Sequence, residues 1–386
     1  MMCRFVLITI YTLFGSVFAK AQIFWGENAY TEYRQGVLPI VISVPHGGSL
    51  QPENIPDRTC NNAVTVTDAH TVDLALKLDA ALFALTNCHP HLVICHLKRT
   101  KLDCNRNVND GACGNTDAIT AWNEFHDFIE QAQSIALSEH GERVFYIDLH
   151  GHGNPTQRIE LGYLLYEDEL ELSDATLNSA QYVGYSSIQN LVGTNINGFS
   201  HTDLLRGDFA LGTLLADNGF PAVPSQQDPV PGIGSNYFSG GYNTLNHSSY
   251  APGNLVDGVQ MECNYDGVRD TELNRTSFAA TLADVLNNFL EKHHGLSIAN
   301  GSCGIAGISE HLTGVRNTSA VVNSAEMASF LNGYSDMEWK IFSCSGALVS
   351  QEGANYSAVK LDVGTYFMQI NDPNEGIRSF RLLVHE

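Results

Sequence analysis

Short apolar runs alternate with longer amphipathic stretches from about residue 38 to residue 295. Apolar runs bounded by polar loops predict buried strands, and apolar residues at helical spacing predict helices that pack on them. The predicted strands are 38–44, 91–97, 144–149, 159–165 and 259–263, and the predicted helices are 67–86, 118–139, 209–217 and a last one that includes 278–289. Thr67 or Asp68 would cap the first helix, and Gly295 would end the last. Alternation of strands and helices predicts an α/β domain over 22–297, with a mainly parallel sheet flanked by helices.

The pattern changes after about residue 297. Short alternating runs such as 357–363 and 365–370 are separated by Gly, Asn and Asp turns. This pattern is typical of antiparallel strands, so we expect a small β-sandwich domain over residues 298–386. Cys303 and Cys344 both fall within it, and a disulfide between them is one interpretation.

The first residues have the features of a targeting segment. Arg4 precedes an apolar run over 5–18, which ends at the small-x-small sequence of residues 19–21. This arrangement predicts a secretory signal peptide over residues 1–21 and an extracellular protein. An N-terminal membrane anchor is the less favoured alternative, because the run is shorter than the roughly 20 residues that span a bilayer.

Cysteines and glycosylation sequons agree with export. Of nine cysteines, only Cys3 lies in the predicted signal peptide, and the even number that remains predicts disulfides in an oxidising compartment. Surface glycosylation is predicted at N-x-S/T sequons. These sequons begin at Asn246, Asn274, Asn300, Asn317 and Asn355.

Charge restricts the classes of partner. The chain of 386 residues carries 42 acidic and 20 basic side chains, a formal net charge of −22. Its 44% of hydrophobic residues and 16% of charged residues indicate a globular protein. The negative field would repel nucleic acids and anionic lipids, so we expect neither nucleic acid nor membrane as a partner. An anionic substrate would require a few local arginines.

Four polar clusters follow predicted strands. Ligands of open α/β sheets bind beyond the carboxyl ends of the strands, so these clusters should converge. The clusters are His46 with Glu53, residues 99–106, residues 148–153, and Glu262. A single histidine or carboxylate at a strand end is more often a hydrogen-bonded structural residue than a ligand. The coincidence of all four clusters favours a metal site.

Two histidines and a carboxylate from separate loops form an open zinc site, which leaves a fourth position for water. Asp148 and Asp103 are candidates for orienting the ligand side chains from behind, although Asp103 could instead pair with Arg106. Zinc lowers the pKa of a bound water to about 7, and a nearby carboxylate must then accept the proton. Glu262 is the candidate for this general base.

Eight short motifs follow one another between residues 38 and 292. They are 43–48 (SVPHGG), 52–58 (PENIPDR), 67–71 (TDAHT), 99–106 (RTKLDCNR), 148–153 (DLHGHG), 159–163 (IELGY), 237–242 (YFSGGY) and 260–262 (QME). In their order and spacing they resemble the N-formylglutamate amidohydrolase-like family, relatives of the zinc carboxypeptidases. The resemblance implies a phosphorylase/hydrolase-like α/β fold with one zinc ion.

The resemblance also implies a set of metal ligands. His46, Glu53 and His150 match the ligand positions of the family. Six residues separate His46 from Glu53, where carboxypeptidases have two, so Asp68 is an alternative to Glu53. His152 is the corresponding alternative to His150.

Catalytic and substrate-binding roles follow from the same resemblance. Glu262 matches the general base, and Arg99 resembles the arginine that polarises the substrate carbonyl. Asn105 and Arg106 resemble the pair that binds a substrate carboxylate, for which the planar guanidinium is well suited. His152 is expected to face the substrate or to support a ligand.

The sequence therefore predicts a secreted, zinc-dependent, metallopeptidase-like amidohydrolase. Its expected substrate is a small molecule or peptide with an amide bond next to a carboxylate, such as an N-acyl amino acid, a γ-glutamyl compound or a peptide. The alternative is a non-catalytic secreted protein that binds glycan or protein on the same fold, and the presence of Glu262 favours the enzyme. A serine hydrolase is disfavoured because the sequence has no G-x-S-x-G motif, and the commonest metalloprotease motif, H-E-x-x-H, is absent too.

Overall fold

The computed structural model describes residues 22–60 and 63–299 of the chain. In the C-terminal part it describes Leu331 and residues 320–323, 338–343, 348–351, 364–372 and 376–385. The predicted signal peptide and the suggested pair of Cys303 and Cys344 lie outside the described residues.

Residues 22–299 contain eight strands and eleven α-helices. The strands are β1 (Gln22–Trp25), β2 (Thr31–Gln35), β3 (Ile40–Val44), β4 (His91–Cys95), β5 (Phe145–Gly151), β6 (Ile159–Gly162), β7 (Ala222–Val223) and β8 (Asp257–Cys263). The helices are α1 (Thr71–Thr86), α2 (Val108–Ala112), α3 (Thr116–His140), α4 (Glu167–Leu170), α5 (Asp174–Leu177), α6 (Ala180–Val183), α7 (Gln189–Thr194), α8 (His201–Arg206), α9 (Leu211–Asp217), α10 (Tyr242–His247) and α11 (Glu272–His294). Among the described residues, no helix combines the length and apolarity that crossing a membrane requires.

The eight strands form one sheet in the order β1-β2-β4-β3-β5-β8-β6-β7. Strands β4, β3, β5 and β8 are parallel to one another and form its centre. The sheet as a whole is mixed, with four parallel and three antiparallel strand pairings, so the mainly parallel sheet that the sequence predicts is confirmed for its centre. A short turn joins β1 to β2, which permits only antiparallel pairing, and β6 runs antiparallel to β8.

Helices cover both faces of this sheet. Along β3, the side chains of Ile40 and Ile42 pack on the face covered by α1 and α11, whereas Val41 packs on the face covered by α3. This alternation follows from the two-residue period of a strand. Leu78 of α1 and Phe125 of α3 are fully buried on their respective faces, so the sheet is covered on both sides as an α/β fold requires.

The ends of two helices test the predicted capping residues. Gly295, with a φ of 67°, ends α11, in agreement with the sequence pattern. The start of α1 differs from the prediction. The helix begins at Thr71, after His70 with a φ of 67°, so neither Thr67 nor Asp68 is its N-cap. Asp68 does not cap the helix, and its side chain lies in the site described below.

The C-terminal part forms a five-stranded sheet. Its strands are β9 (Ala320–Asn323), β10 (Glu338–Ser343), β11 (Leu348–Gln351), β12 (Gly364–Asp372) and β13 (Gly376–His385), in the order β11-β10-β12-β13-β9. Neighbours are antiparallel except β13 and β9, which are parallel. The described strands account for a single sheet, so the predicted sandwich stays a prediction.

The cysteines of the α/β region fall into two groups. Cys60 and Cys113 form a disulfide, and Cys88 is disulfide-bonded too. The remaining cysteines of this region are buried free thiols. They are Cys95, Cys104 and Cys263. Burial raises the pKa of the Cys263 thiol to about 12, so it stays protonated and inert.

Candidate metal centre

Three ligand atoms converge at the carboxyl end of the central strands. The Nδ1 atoms of His46 and His150 lie 3.1 Å apart, and Oδ2 of Asp68 lies 3.4 Å from the first and 3.2 Å from the second. All three residues are buried. Ligands at about 2.1 Å from a tetrahedral ion lie roughly 3.4 Å from one another. This group can therefore hold a metal ion.

The topology explains why these residues meet. Strands β3 and β5 are adjacent and parallel, with Ser43 paired to Asp148, so His46 and His150 leave the sheet side by side. The loop that carries Asp68 is bonded to the first ligand segment through Asp68 N and the carbonyl of His46. A Cβ atom at Gly47 would lie 2.3 Å from Oγ1 of Thr71, so the glycine permits this close approach.

A carboxylate holds each imidazole from behind. Nε2–H of His46 donates to Oδ1 of Asp103 at 2.6 Å, and Nε2–H of His150 donates to Oδ2 of Asp148 at 2.8 Å. In neutral rings these bonds place the protons on Nε2, so that both Nδ1 lone pairs point toward each other and toward Asp68. Converging lone pairs repel unless a cation lies between them, so the donor set fits a metal ion.

Asp148 is itself held by a buried polar network. Its Oδ1 accepts from Oγ of Ser43 at 2.6 Å and from Nδ2 of Asn243 at 3.1 Å. The hydroxyl of Tyr146 lies 2.6 Å from the same Ser43 oxygen. Burial alone would raise the pKa of Asp148, but the interaction with His150 and the hydrogen bonds from Ser43 and Asn243 lower it. Asp148 is therefore an ionised carboxylate in a fixed orientation.

Asp103 has a comparable set of partners on the other side. Besides His46, its carboxylate accepts from Nε of Arg99 at 3.0 Å and from the backbone N–H of Asn105 at 3.0 Å. Burial opposes ionisation, yet His46, Arg99 and Arg58 hold the pKa of Asp103 well below its usual range. The sequence-based alternative of a pair with Arg106 is not formed, because the side chain of Arg106 is exposed and the Asp103 oxygens are engaged here.

Glu262 lies beside the three ligand atoms. It is on β8, is 4% exposed, and its Oε1 lies 3.9 Å from Nδ1 of His150. Nε2 of Gln260 donates to the same oxygen at 2.9 Å. Burial raises the pKa of Glu262 to about 7. A carboxyl group with such a pKa can both accept and return a proton near neutral pH.

Glu53 lies outside the group of ligand atoms. The carboxylate that joins the two histidines is that of Asp68. The side chain of Glu53 is exposed. The chain after Gly48 pairs with the end of β4 instead, since Leu50 N donates to the carbonyl of His96 and Lys98 N donates to the carbonyl of Leu50. This pairing carries the following loop away from the ligand atoms.

The residues expected to bind substrate divide into two sets. Arg99 and Asn105 lie at the group: Nη1 of Arg99 is 3.7 Å from Oδ1 of Asp68, and Nδ2 of Asn105 is 3.3 Å from Nε2 of His150. Arg106 extends its side chain to the surface next to them.

His152 instead supports its own loop. Its Nε2 donates to the carbonyl of Arg158 at 2.8 Å, and its Nδ1 accepts from the backbone N–H of Asn154 at 3.0 Å. Both ring nitrogens are therefore engaged, and His150 supplies the ligand atom of this segment.

Some residues around the group were not predicted. Gln260 shares a face of β8 with Glu262, and Ser43 precedes His46 by three residues. The sequence spacing of each to a predicted site residue could therefore have indicated that it lies near the site. Asn243 carried none, because it is far in sequence from its partner Asp148 and directly follows a motif of aromatic and small residues without histidine or acidic side chains. Arg269, considered below, carried none either.

Comparison with known proteins gives distant similarities. No known family model and no curated protein matches the sequence. Solved structures similar to the chain include N-formylglutamate amidohydrolase from Ralstonia eutropha JMP134, with 12% identity, 66% of this chain and 93% of that chain covered, and a TM-score of 0.38. The N-acetylmuramyl-L-alanine amidase Ami1 from Mycobacterium smegmatis has 16% identity, 65% and 96% coverage, and a TM-score of 0.29.

A third such structure is the succinylglutamate desuccinylase from Chromobacterium violaceum. It has 12% identity to this chain, covers 69% of this chain and 70% of its own length, and has a TM-score of 0.30. The family that the motifs resemble is thus represented among the similar structures. At identities and TM-scores this low, none of the three places this chain in a family, and the functional conclusion rests on the site geometry.

Proposed function

We propose that this chain is a secreted zinc-dependent amidohydrolase, which cleaves an amide bond next to a substrate carboxylate. The observation that carries the proposal is the convergence of two imidazole nitrogens and a carboxylate oxygen, with Glu262 beside them. Two histidines and one carboxylate, with a position left for water, are the ligand set of catalytic zinc sites.

The residues of the chain have separable tasks in this proposal. A zinc ion held by His46, Asp68 and His150 would supply Lewis acidity and a water molecule with a pKa of about 7. Asp103 and Asp148 keep His46 and His150 in the tautomer that leaves Nδ1 free. Glu262 accepts the proton of the attacking water and returns it to the leaving nitrogen, a task that its pKa of about 7 suits.

A substrate carboxylate is the anion that the arginines next to the group would bind. Arg58, Arg99 and Arg106 lie close enough for their charges to interact, in a chain whose net charge is −22. The guanidinium of Arg106 is exposed, whereas that of Arg58 is engaged by backbone carbonyls. The substrates that satisfy these requirements are N-acyl amino acids, γ-glutamyl compounds and peptides with a free C-terminus.

Secretion is supported by the N-terminal segment and by the disulfide between Cys60 and Cys113. Expression of the full chain in a secretory host tests it. Recovery from the medium of a protein that begins after residue 21 is expected, and a chain retained in the cells with residues 1–21 attached would contradict it.

The test of the activity combines metal analysis with a substrate panel. The purified protein should contain about one equivalent of zinc and hydrolyse members of a panel of N-acyl glutamates, γ-glutamyl peptides and C-terminal dipeptides. Glu262→Gln should keep the zinc and lose at least about 100-fold in kcat, because the proton acceptor is removed. Glu53→Gln is the matched control, since this exposed carboxylate lies outside the group, and it should change neither quantity.

Two results would contradict the proposal in different ways. Protein that stays metal-free after gentle purification and fails to bind added zinc would remove the metal site itself. Protein that binds zinc at His46, Asp68 and His150 but hydrolyses no panel member, and that binds a glycan or protein instead, would favour the non-catalytic alternative.

A further inference from the structure

Arg269 forms a buried junction close to the metal centre. It lies in the turn Tyr265–Arg269 between β8 and α11 and is 3% exposed. Its Nε donates to the carbonyl of Cys263 at 2.9 Å, its Nη2 donates to the carbonyl of His152 at 2.7 Å, and its Nη1 donates to the carbonyl of Ala69. One guanidinium therefore joins three separate chain segments.

Each of these segments carries a functional side chain. Ala69 directly follows Asp68, and Cys263 directly follows Glu262. The third segment carries His150, two residues before the carbonyl that accepts from Arg269. We propose that Arg269 is a positioning residue, which sets the distances among Asp68, His150 and Glu262 through their backbones. The inference rests on the metal site proposed above.

Neighbouring residues hold the guanidinium of Arg269 in a fixed position. A Cβ atom on Gly151 would lie 2.3 Å from the guanidinium carbon, so this glycine in the ligand-bearing strand provides its space. The ring of Tyr265 lies over the guanidinium, with its centroid 5.5 Å away. Nη1 of Arg275 donates to the carbonyl of Arg269 at 2.7 Å, and Nε of Arg275 pairs with Asp73 of α1.

The shape of the guanidinium is essential to this role. Its N–H donors form a rigid planar fork, so three carbonyls bonded to it are held at fixed mutual distances. An ammonium group in its place would keep the charge but would rotate freely on a flexible stem. Arg269→Lys therefore removes the fixed geometry and retains the charge.

Arg206 is a matched control for a purely structural arginine. Its guanidinium also donates to backbone carbonyls of several loops, among them those of Leu170 and Leu172, and it pairs with Asp174. None of these residues belongs to the ligand-bearing segments. Both Arg206→Lys and Arg269→Lys should lower the melting temperature of the metal-free protein, but only Arg269→Lys should weaken metal binding.

Gly151→Ala provides a second variant that leaves Arg269 in the chain. Its methyl group would displace the guanidinium, so it should reproduce the effect of Arg269→Lys. Gly153→Ala is its control, because a Cβ atom at Gly153 meets nothing within 4 Å.

The experiment measures the zinc affinity of the full-length protein by competition with a chelator. The visible spectrum of the cobalt-loaded protein reports the ligand geometry independently of activity. We expect Arg269→Lys and Gly151→Ala to bind zinc about 10–100-fold more weakly than wild type and to change the cobalt spectrum. Arg206→Lys and Gly153→Ala should match wild type in both measurements.

The outcomes separate this inference from the proposed function. Wild-type affinity and an unchanged spectrum in Gly151→Ala, or in a folded Arg269→Lys variant, would overturn the role of Arg269 and leave the metal site standing. Wild-type protein that binds no zinc would overturn the proposed function and this inference with it.

Discussion

Two pairs of buried histidines in the same domain have opposite environments. His46 and His150 face each other through Nδ1 atoms 3.1 Å apart, with carboxylates at both outer nitrogens and Asp68 between them. His126 and His247 are 2.7 Å apart through Nδ1 and Nε2, with their rings stacked at a centroid distance of 5.0 Å. The proximity of two imidazoles alone does not distinguish the pairs.

Hydrogen-bond partners do distinguish them. Nε2 of His126 donates to the carbonyl of Cys104, so its Nδ1 must accept from Nε2–H of His247, and a proton occupies the space between the rings. Burial lowers the pKa of His126 to about 3 and that of His247 to about 4. In the first pair the protons point outward to Asp103 and Asp148, and the space between the rings is left to a cation. Carboxylates at the outer nitrogens therefore distinguish the histidine pair that could hold a metal ion.

Loss of a proposed ligand should have the largest effect on metal binding. His150→Gln removes one of three proposed protein ligands. Because each ligand contributes a large part of the free energy of zinc binding, we expect at least about a 100-fold loss of zinc affinity. His247→Gln should bind zinc within about threefold of wild type. A chelator competition assay checks both, and equal losses in the two variants would erase the distinction between the pairs.

Acid should destabilise the protein through the second pair. The folded-state pKa of His247, about 4, lies below the ordinary value of 6.5. Its contribution to stability is therefore complete above about pH 6.5 and is lost as the pH falls toward 4. Between about pH 7 and pH 4.5, metal-free wild type should lose about 2–3 kcal/mol more than His247→Gln, since each pKa unit is about 1.4 kcal/mol.

Urea denaturation at the two pH values measures that difference. Burial lowers the pKa of His247, and Asp148 is the acidic neighbour that favours its protonation. His247 in turn opposes protonation of His126. Parallel pH dependence in wild type and His247→Gln would show that folding leaves the pKa of His247 at its ordinary value and would refute the lowered pKa.

The outer carboxylates should have an intermediate effect. Asp103→Asn and Asp148→Asn each replace an ionised acceptor by an amide that can no longer hold the imidazole in one tautomer. Zinc affinity should fall about 10–100-fold in each variant. Asp79→Asn is the control. Oδ1 of Asp79 lies 2.6 Å from Nδ1 of His89, and neither residue belongs to the metal-binding group. The zinc affinity of this variant should be that of wild type.

The smallest effect on zinc affinity is expected at Asn243, which contacts Asp148 and none of the three proposed ligands. Asn243→Ala removes one hydrogen bond to the carboxylate of Asp148. The hydrogen bonds that Asp148 accepts from Ser43 and His150 remain. We expect a loss of about 1–2 kcal/mol in unfolding free energy and less than a tenfold loss of zinc affinity. Leu245→Ala, at an exposed position of α10, is the control in the same helix, and an equal effect of both would locate the loss in the helix and not at Asp148.

Sequence patterns located the main strands and the long helices, because burial of one face imposes a period that the residues display. They found α11 and its end at Gly295, and they found His46 and His150. They also produced two errors. Thr67 or Asp68 was expected to cap the first helix, with Asp68 as a ligand only in the alternative, and the resemblance to the family placed Glu53 among the metal ligands.

The amino-acid sequence by itself determined which segments are strands and helices, and that histidines and acids follow the parallel strands, since periodicity and chain order are local properties. The tertiary structure alone decided which carboxylate joins the two imidazoles, which nitrogen of each ring is free, and that Arg269 bonds to three segments around the group. These features depend on distances between residues far apart in the chain. Such distances are fixed only when the sheet order and the loop paths are fixed together.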